Sequence, residues 1–199
     1  MFVTGKVVYL DDSGWIDGNP MLKNTAHSYG WVAIALHWLM ALAVFGMFGL
    51  GLYMVELTYY DAWYRGSLET HKAVGILLAL VLLARLGWRL GNPRPRGLSD
   101  RAWENLAAHV MHWSLYGLLL AIVVSGYLIS TADGRPIDVF GLFQVPATLT
   151  AKGQEDLAGE VHEILVWSLM VLVALHALAA LKHHVIDRDR TLRRILRPE

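Results

Sequence analysis

Residues 161–184 read VHEILVWSLMVLVALHALAALKHH. The run is long and apolar enough to cross a bilayer, which takes about 20 residues, and nothing in it alternates as a strand would. His162 and His176 interrupt it, 14 residues apart. At about 100° per residue, that spacing ends about 40° short of four full turns. Both rings therefore leave the same helix face, about 21 Å apart along the axis at 1.5 Å per residue. That is roughly two-thirds of a hydrocarbon core about 30 Å thick. One helix thus presents one imidazole near each membrane face.

Three more segments match this one in character, at about 29–55, 70–90 and 104–130. The middle one carries no charge over residues 73–83. The chain has 199 residues, is 55% hydrophobic and only 17% charged, and its mean hydropathy is +0.41. This is the composition of one membrane domain with a few helices. The expected fold is all-α, a four-helix transmembrane bundle over 29–199 preceded by an amino-terminal cytoplasmic extension over 1–28. Asp11, Asp12 and Asp17 occupy the lead-in, which has no apolar run of signal-peptide length, so no cleavage is expected. The chain has no cysteine, which excludes disulfides, thiolate ligation and iron–sulfur clusters held by this chain. No basic stripe suggests a nucleic-acid partner, and the oligomeric state is left open.

Positive charge orients the bundle. Lys6, Lys23, Arg85, Arg89, Arg94, Arg96, Arg101, Lys182, Arg188, Arg190, Arg193, Arg194 and Arg197 fall on one side. Arg65, Lys72, Arg135 and Lys152 fall on the other. Both termini are therefore expected in the cytoplasm. Asn92-Pro93-Arg94-Pro95-Arg96-Gly97 breaks the second helix from the third. The outer loop 131–160 contains turn formers, and Leu142, Phe143, Val145 and Leu149 suggest a stretch lying on the membrane surface. Trp and Tyr near the helix ends, Trp31, Tyr59, Trp63 and Trp88 among them, read as an aromatic belt.

Of nine histidines, six lie in spanning segments. An ionisable side chain there is costly, which makes it a functional candidate. Topology sorts four of them by depth. His71 and His162 lie at the outer level, and His37 and His176 at the inner level. Small residues flank each at helical spacing: Ala33 and Ala41, Gly75, Ala158, and Ala180. Gly46, Gly49, Gly51, Gly117 and Gly126 also permit close approach, although such residues are common in any membrane bundle. Two bis-histidine haems b fit this arrangement. A lone membrane histidine serves packing as readily as ligation. A zinc site is disfavoured because the pairs are too far apart to share a metal, and a proton relay would not need two level pairs.

His109 and His112, three residues apart on the inner half of the third helix, share a face and are read as contacts to a haem propionate or a quinone, as structural, or as replacing one of the four assigned ligands. Arg85 and Arg89, one turn apart, either snorkel or pair with propionates or a quinone headgroup. His183 and His184 follow Lys182 at the inner end and are read as interfacial, against headgroups or propionates. His27 is read as solvated.

Several stretches carry a resemblance. They are Ala35-Leu36-His37-Trp38, Thr70-His71-Lys72-Ala73-Val74-Gly75, Ala108-His109-Val110-Met111-His112, Gly126-Tyr127-Leu128-Ile129-Ser130 and Val139-Phe140-Gly141-Leu142. Residues 176–196 belong with them, with Lys182-His183-His184 and Asp187-Arg188-Asp189. Across about 30–197 the chain resembles the bacterial cytochrome b561 family of four-helix dihaem, quinone-linked cytochromes, and within it the superoxide oxidase type. The resemblance implies an inner-membrane oxidoreductase that takes electrons from superoxide outside and reduces ubiquinone. It would put Lys72 beside the superoxide path as the catalytic candidate. The ligand pattern is also similar to that of the cytochrome subunits of formate dehydrogenase and nickel–iron hydrogenase.

Two readings follow. In one, electrons pass from superoxide to the outer level, then to the inner level, then to a quinone near His109, His112, Arg85 or the tail. In the other, the chain is an anchor that relays electrons from a dehydrogenase or a periplasmic redox protein. Glu56, Asp61, Glu69, Asp133, Asp138, Glu155, Asp156, Glu160 and Glu163 on the outer side favour a basic protein donor over a free anion. A haem-free transporter is disfavoured by the lack of broken-helix signals and inverted repeats.

Overall fold

A computed structural model describes residues 22–151 and 153–198. The extension expected over 1–28 therefore lies, as far as residue 21, outside the described residues. Four helices carry the fold: α1 Trp31–Val55, α2 Tyr64–Gly91, α3 Ala102–Ser130 and α4 Gln154–Val185. At 25 to 32 residues each exceeds the roughly 20 needed to span a bilayer. They are apolar on every side, so their outward residues stay uncovered by protein. Leu42, Leu83, Val124, Val171 and Leu178 are all exposed, as lipid-facing residues are.

The helices pack as two hairpins, α1 with α2 and α3 with α4, joined by α2 against α3. Neither α1 nor α2 packs along α4. Side chains cross that gap instead, as where Phe48 meets Trp167 edge-on at 5.4 Å between ring centres. The core is a layer at mid-height made of Met40 and Val44, Leu78 and Leu82, Leu119 and Leu169. Leu169 lies seven residues from both His162 and His176, so this apolar layer separates the two histidine levels.

The loop between α3 and α4 is more ordered than the interfacial stretch expected there. Strands β1 Ile137–Val139 and β2 Phe143–Val145 pair antiparallel, with Asp138 opposite Gln144. The turn needs positive φ at Phe140 (53°) and Gly141 (73°). Val139, Thr131 and Ser67 have no exposed surface, so β1 closes one end of the bundle. Leu142 and Phe143 remain exposed on the tip.

The opposite end, where α1 begins and α4 finishes, is tied together by polar contacts. Asn24 Nδ2 donates to the Pro93 carbonyl at 3.2 Å, and the Arg96 amide to the Ala26 carbonyl at 2.9 Å. Gly30 lies so close to the Leu22 carbonyl that a Cβ there would sit 2.3 Å from it. The tail folds back through the short helix α5, Thr191–Arg194. The Trp38 indole donates to the Ile195 carbonyl at 2.8 Å, and Arg194 to the Arg96 carbonyl at 2.8 Å. Lys182 bridges Glu104 at 2.9 Å and Asp187 at 2.6 Å.

Candidate functional site: two facing histidine pairs

Helical rise and antiparallel threading bring the four depth-sorted histidines together as two pairs. His71 of α2 faces His162 of α4 on the hairpin side, and His37 of α1 faces His176 of α4 on the terminus side. Both pairs have ring centres 6.4 Å apart, at interplanar angles of 71° and 64°. Two imidazoles on one iron, each about 2 Å from the metal with the ring centre about 1.1 Å beyond, stand about 6.3 Å apart. Each pair therefore has the spacing of a bis-histidine haem, and each spans the gap that α4 leaves toward α1 and α2. His112 also faces His176, but at 5.3 Å, about 1 Å too close to share an iron with it.

The hairpin-side pair is shaped by glycine. A Cβ at Gly126 would lie 3.2 Å from His162 Cε1, and one at Gly51 would lie 3.5 Å from His71 Cε1. Nδ1 of His162 lies 3.1 Å from the Ile122 carbonyl and 2.9 Å from Ser125 Oγ, whose hydroxyl donates to the same carbonyl. A carbonyl only accepts, so Nδ1 carries the ring proton and Nε2 is left as a bare lone pair. Nδ1 of His71 is buried with no hydrogen-bond partner. The protein leaves this polar atom unsatisfied at the same level.

The terminus-side pair lies in a cationic setting. Arg85 Nη2 is 2.8 Å from His37 Nδ1. Arg85 also lies over the Tyr116 ring at 5.6 Å. Arg89 lies over Trp113 at 5.7 Å and Tyr116 at 5.5 Å. His112 turns into this cluster. His109 does not: it is exposed and accepts a hydrogen bond from the Trp113 indole at 3.1 Å. Three residues advance a helix by about 300°, and the remaining 60° separates the inward from the outward position here.

His183 lies away from both pairs. Its Nδ1 lies 2.8 Å from Asp189 and 2.9 Å from Asp187, so it helps hold the tail. Burial raises the Asp189 carboxyl, but hydrogen bonds from Thr191 and His183 outweigh it and hold the group below the usual carboxylate range. Glu104, His183 and Asp187 approach one another closely enough to suggest a metal, but the Lys182 ammonium already bridges the two carboxylates. Lys72 stands at the hairpin-side end beside His71, with Nζ 3.4 Å from Glu69.

Residues 28–198 match the sequence profile described as prokaryotic cytochrome b561. The chain belongs to that family. It is 54% identical over 175 residues to cytochrome b561 homolog 2 of Escherichia coli (strain K12), covering 87% of this chain and 93% of that protein. It is 32% identical over 130 residues to cytochrome b561 homolog 1 of the same strain, covering 64% and 73%. It is 28% identical over 170 residues to the probable superoxide oxidase CybB of Yersinia pestis, covering 84% and 95%. Family membership makes the chain a multi-pass membrane protein that works by haem-based electron transfer. The four helices and the gaps beside α4 suit a cytochrome b561 bundle.

Among the pertinent side chains, Ser125 and the Ile122 carbonyl escape a sequence reading. A serine in a membrane helix is too common to stand out, and nothing in its spacing connects it to a residue on α4.

Proposed function

We propose that this cytochrome b561 carries electrons across the inner membrane through two haems b, from superoxide outside to ubiquinone. His71 and His162 would hold the outer haem, His37 and His176 the inner one, with both termini and the extension over 1–28 in the cytoplasm. The observation that carries this reading is the shared 6.4 Å spacing of both pairs. Each haem would supply a one-electron centre, held through its iron by the two histidines of its level.

The residues divide the remaining work. Ile122 and Ser125 hold the His162 ring so that Nε2 faces inward. Gly126 keeps the surroundings of His162 open, and Gly51 those of His71. The Met40–Leu169 layer excludes water and protons between the levels. His112, Arg85 and Arg89 are the polar groups nearest the inner pair that could meet a quinone headgroup, with His109 on the lipid-facing side. Two superoxide ions give up one electron each and leave as two dioxygen molecules, while one ubiquinone takes up two electrons and two protons. The superoxide assignment draws on the name borne by the Yersinia pestis relative and on Lys72 beside His71.

A second reading keeps the wire and replaces the donor with a basic redox protein. It draws on the acidic outer side, where Lys72 and Arg135 are each paired with an acid, Glu69 and Asp133. The deciding experiment supplies enzymatically generated superoxide to the oxidised holoprotein with ubiquinone present. Rapid haem reduction with quinol formation supports the first reading. Haem that stays oxidised moves the donor to a protein. A preparation with no haem band overturns both.

A further inference from the structure

Arg85 and Arg89 stand one turn apart on α2 and both turn into the cluster of His37, His112 and His176. Aromatic rings cover them, and Arg89 Nε is buried with no hydrogen-bond partner. Neither guanidinium is paired with a carboxylate among the described residues. Among the described residues the other level has no counterpart. His162 Nδ1 meets a neutral hydroxyl and a carbonyl, His71 Nδ1 meets nothing, and nearby Lys72 is paired with Glu69.

We propose that Arg85 and Arg89 set the direction of electron flow, making the inner haem the stronger electron acceptor of the two. The proposal rests on the dihaem reading above. A ferric centre carries one more positive charge than a ferrous one, so a fixed cation nearby favours the reduced form. At an effective dielectric near 20 and a separation of roughly 10 Å, each guanidinium favours reduction by on the order of tenfold.

Arg85 sharpens the argument because it can only donate. Its contact requires His37 Nδ1 to accept, which leaves the ring proton on Nε2. For His37 to offer Nε2 to iron, that proton must move to Nδ1, and the contact becomes donor against donor. The guanidinium must then turn to another acceptor, and no carboxylate lies within 4.0 Å of it among the described residues. The propionate carboxylates of a haem are acceptors of the right charge. Neutralising them also favours the reduced form, so both positions of Arg85 act with the same sign. One electron then passes from the outer site to the inner site downhill, and no proton crosses the apolar layer between them.

The test is spectroelectrochemistry on the holoprotein, with haem counted per chain. The wild type is expected to show two one-electron waves. His71→Ala should delete the lower one, which assigns it to the outer site. Arg89→Gln should move the higher wave down by about 59 mV, a tenfold change for one electron, and leave the lower wave in place. Arg89→Lys, which keeps the charge, should restore most of that shift. Arg85→Gln should act in the same direction. If it costs the inner haem, Arg89→Gln decides, because Arg89 lies over Trp113 and Tyr116 and not on His37. An unmoved higher wave in Arg89→Gln overturns the inference, as does an equal shift of both waves. Fewer than two haems per wild-type chain overturns the dihaem reading instead.

Discussion

Ser125 Oγ lies 2.9 Å from Nδ1 of His162, and both atoms share the Ile122 carbonyl. The hydroxyl and the carbonyl together fix which nitrogen of the ring is free. Ser125→Ala removes one of the two and leaves the carbonyl at 3.1 Å, so the tautomer survives but the ring is held less firmly. Loss of such an outer partner typically costs 10- to 100-fold in metal affinity. The expected outcome is the low end, roughly a tenfold weaker hold on the haem proposed to sit on His162. The haem-to-protein ratio after prolonged dilution checks it, and an unchanged ratio would count against the role.

Two glycines differ in how much room they guard. A Cβ at Gly126 would lie 3.2 Å from His162, tighter than ordinary contact, whereas one at Gly51 would lie 3.5 Å from His71. Gly126→Ala is therefore expected to disturb haem binding at that level, and Gly51→Ala to be tolerated. Valine at either position should empty the site while the other haem stays. Pyridine haemochrome assay of the four variants reads this ranking directly. Equal haem content in all four would show that neither glycine guards the site.

Helical rise made the histidine pairs legible in the sequence. His162 and His176 return to one face after four turns, and antiparallel threading puts His71 and His37 at matching depths. The partners of those rings were not legible. Whether Ser125 meets His162, or His112 turns inward while His109 turns out, depends on the rotation of α3 about its axis. An apolar surface on every side does not encode that rotation. The apolar pattern also marks only the part of a helix that lies in lipid. The polar first turn of α4, with Glu155 and Asp156, extends it back to Gln154, well before residue 161. The pairing of β1 with β2 was hidden for another reason, since three-residue strands leave no measurable alternation.

The tail is predicted to be a clamp that can be opened without emptying the haem sites. Trp38→Phe deletes the indole hydrogen bond to Ile195, worth about 1 kcal/mol net. In a chain this size that corresponds to about 2–4 °C in Tm. Glu104→Ala removes one of the two carboxylates that Lys182 bridges at the same end. Both variants should keep their haem spectrum while trypsin cuts sooner at Arg193 and Arg194. Unchanged cleavage in the double variant would show that the clamp lies elsewhere.

Acid should open the same clamp. The Asp189 carboxyl is held below its ordinary value in the folded protein, so its contribution is complete above about pH 4. It is lost as pH falls through the lowered folded value. Asp189→Asn removes that dependence, although the acceptor it offers to the Thr191 amide can survive as an amide oxygen. Tail cleavage by an acid-tolerant protease should rise below about pH 4 in the wild type and stay flat in Asp189→Asn. The same rise in both would assign the acid response to another carboxylate.

Ionic strength separates the two donors by sign. The side of the bundle bearing His71 and His162 carries nine acids against four bases, and two of those bases, Lys72 and Arg135, are paired with Glu69 and Asp133. A small anion approaching such a surface is repelled, and salt weakens that repulsion over a screening length of about 10 Å at 0.1 M. Haem reduction by superoxide should therefore quicken as salt rises. Glu69→Gln, which frees Lys72, should quicken it at low salt, and Lys72→Gln should slow it. A basic protein donor is attracted by the same field, so its rate would fall with salt and with Glu69→Gln. Stopped-flow reduction at three ionic strengths in these two variants distinguishes the donors. A superoxide rate that falls with salt would mean that Lys72 governs the local field against its acidic surroundings.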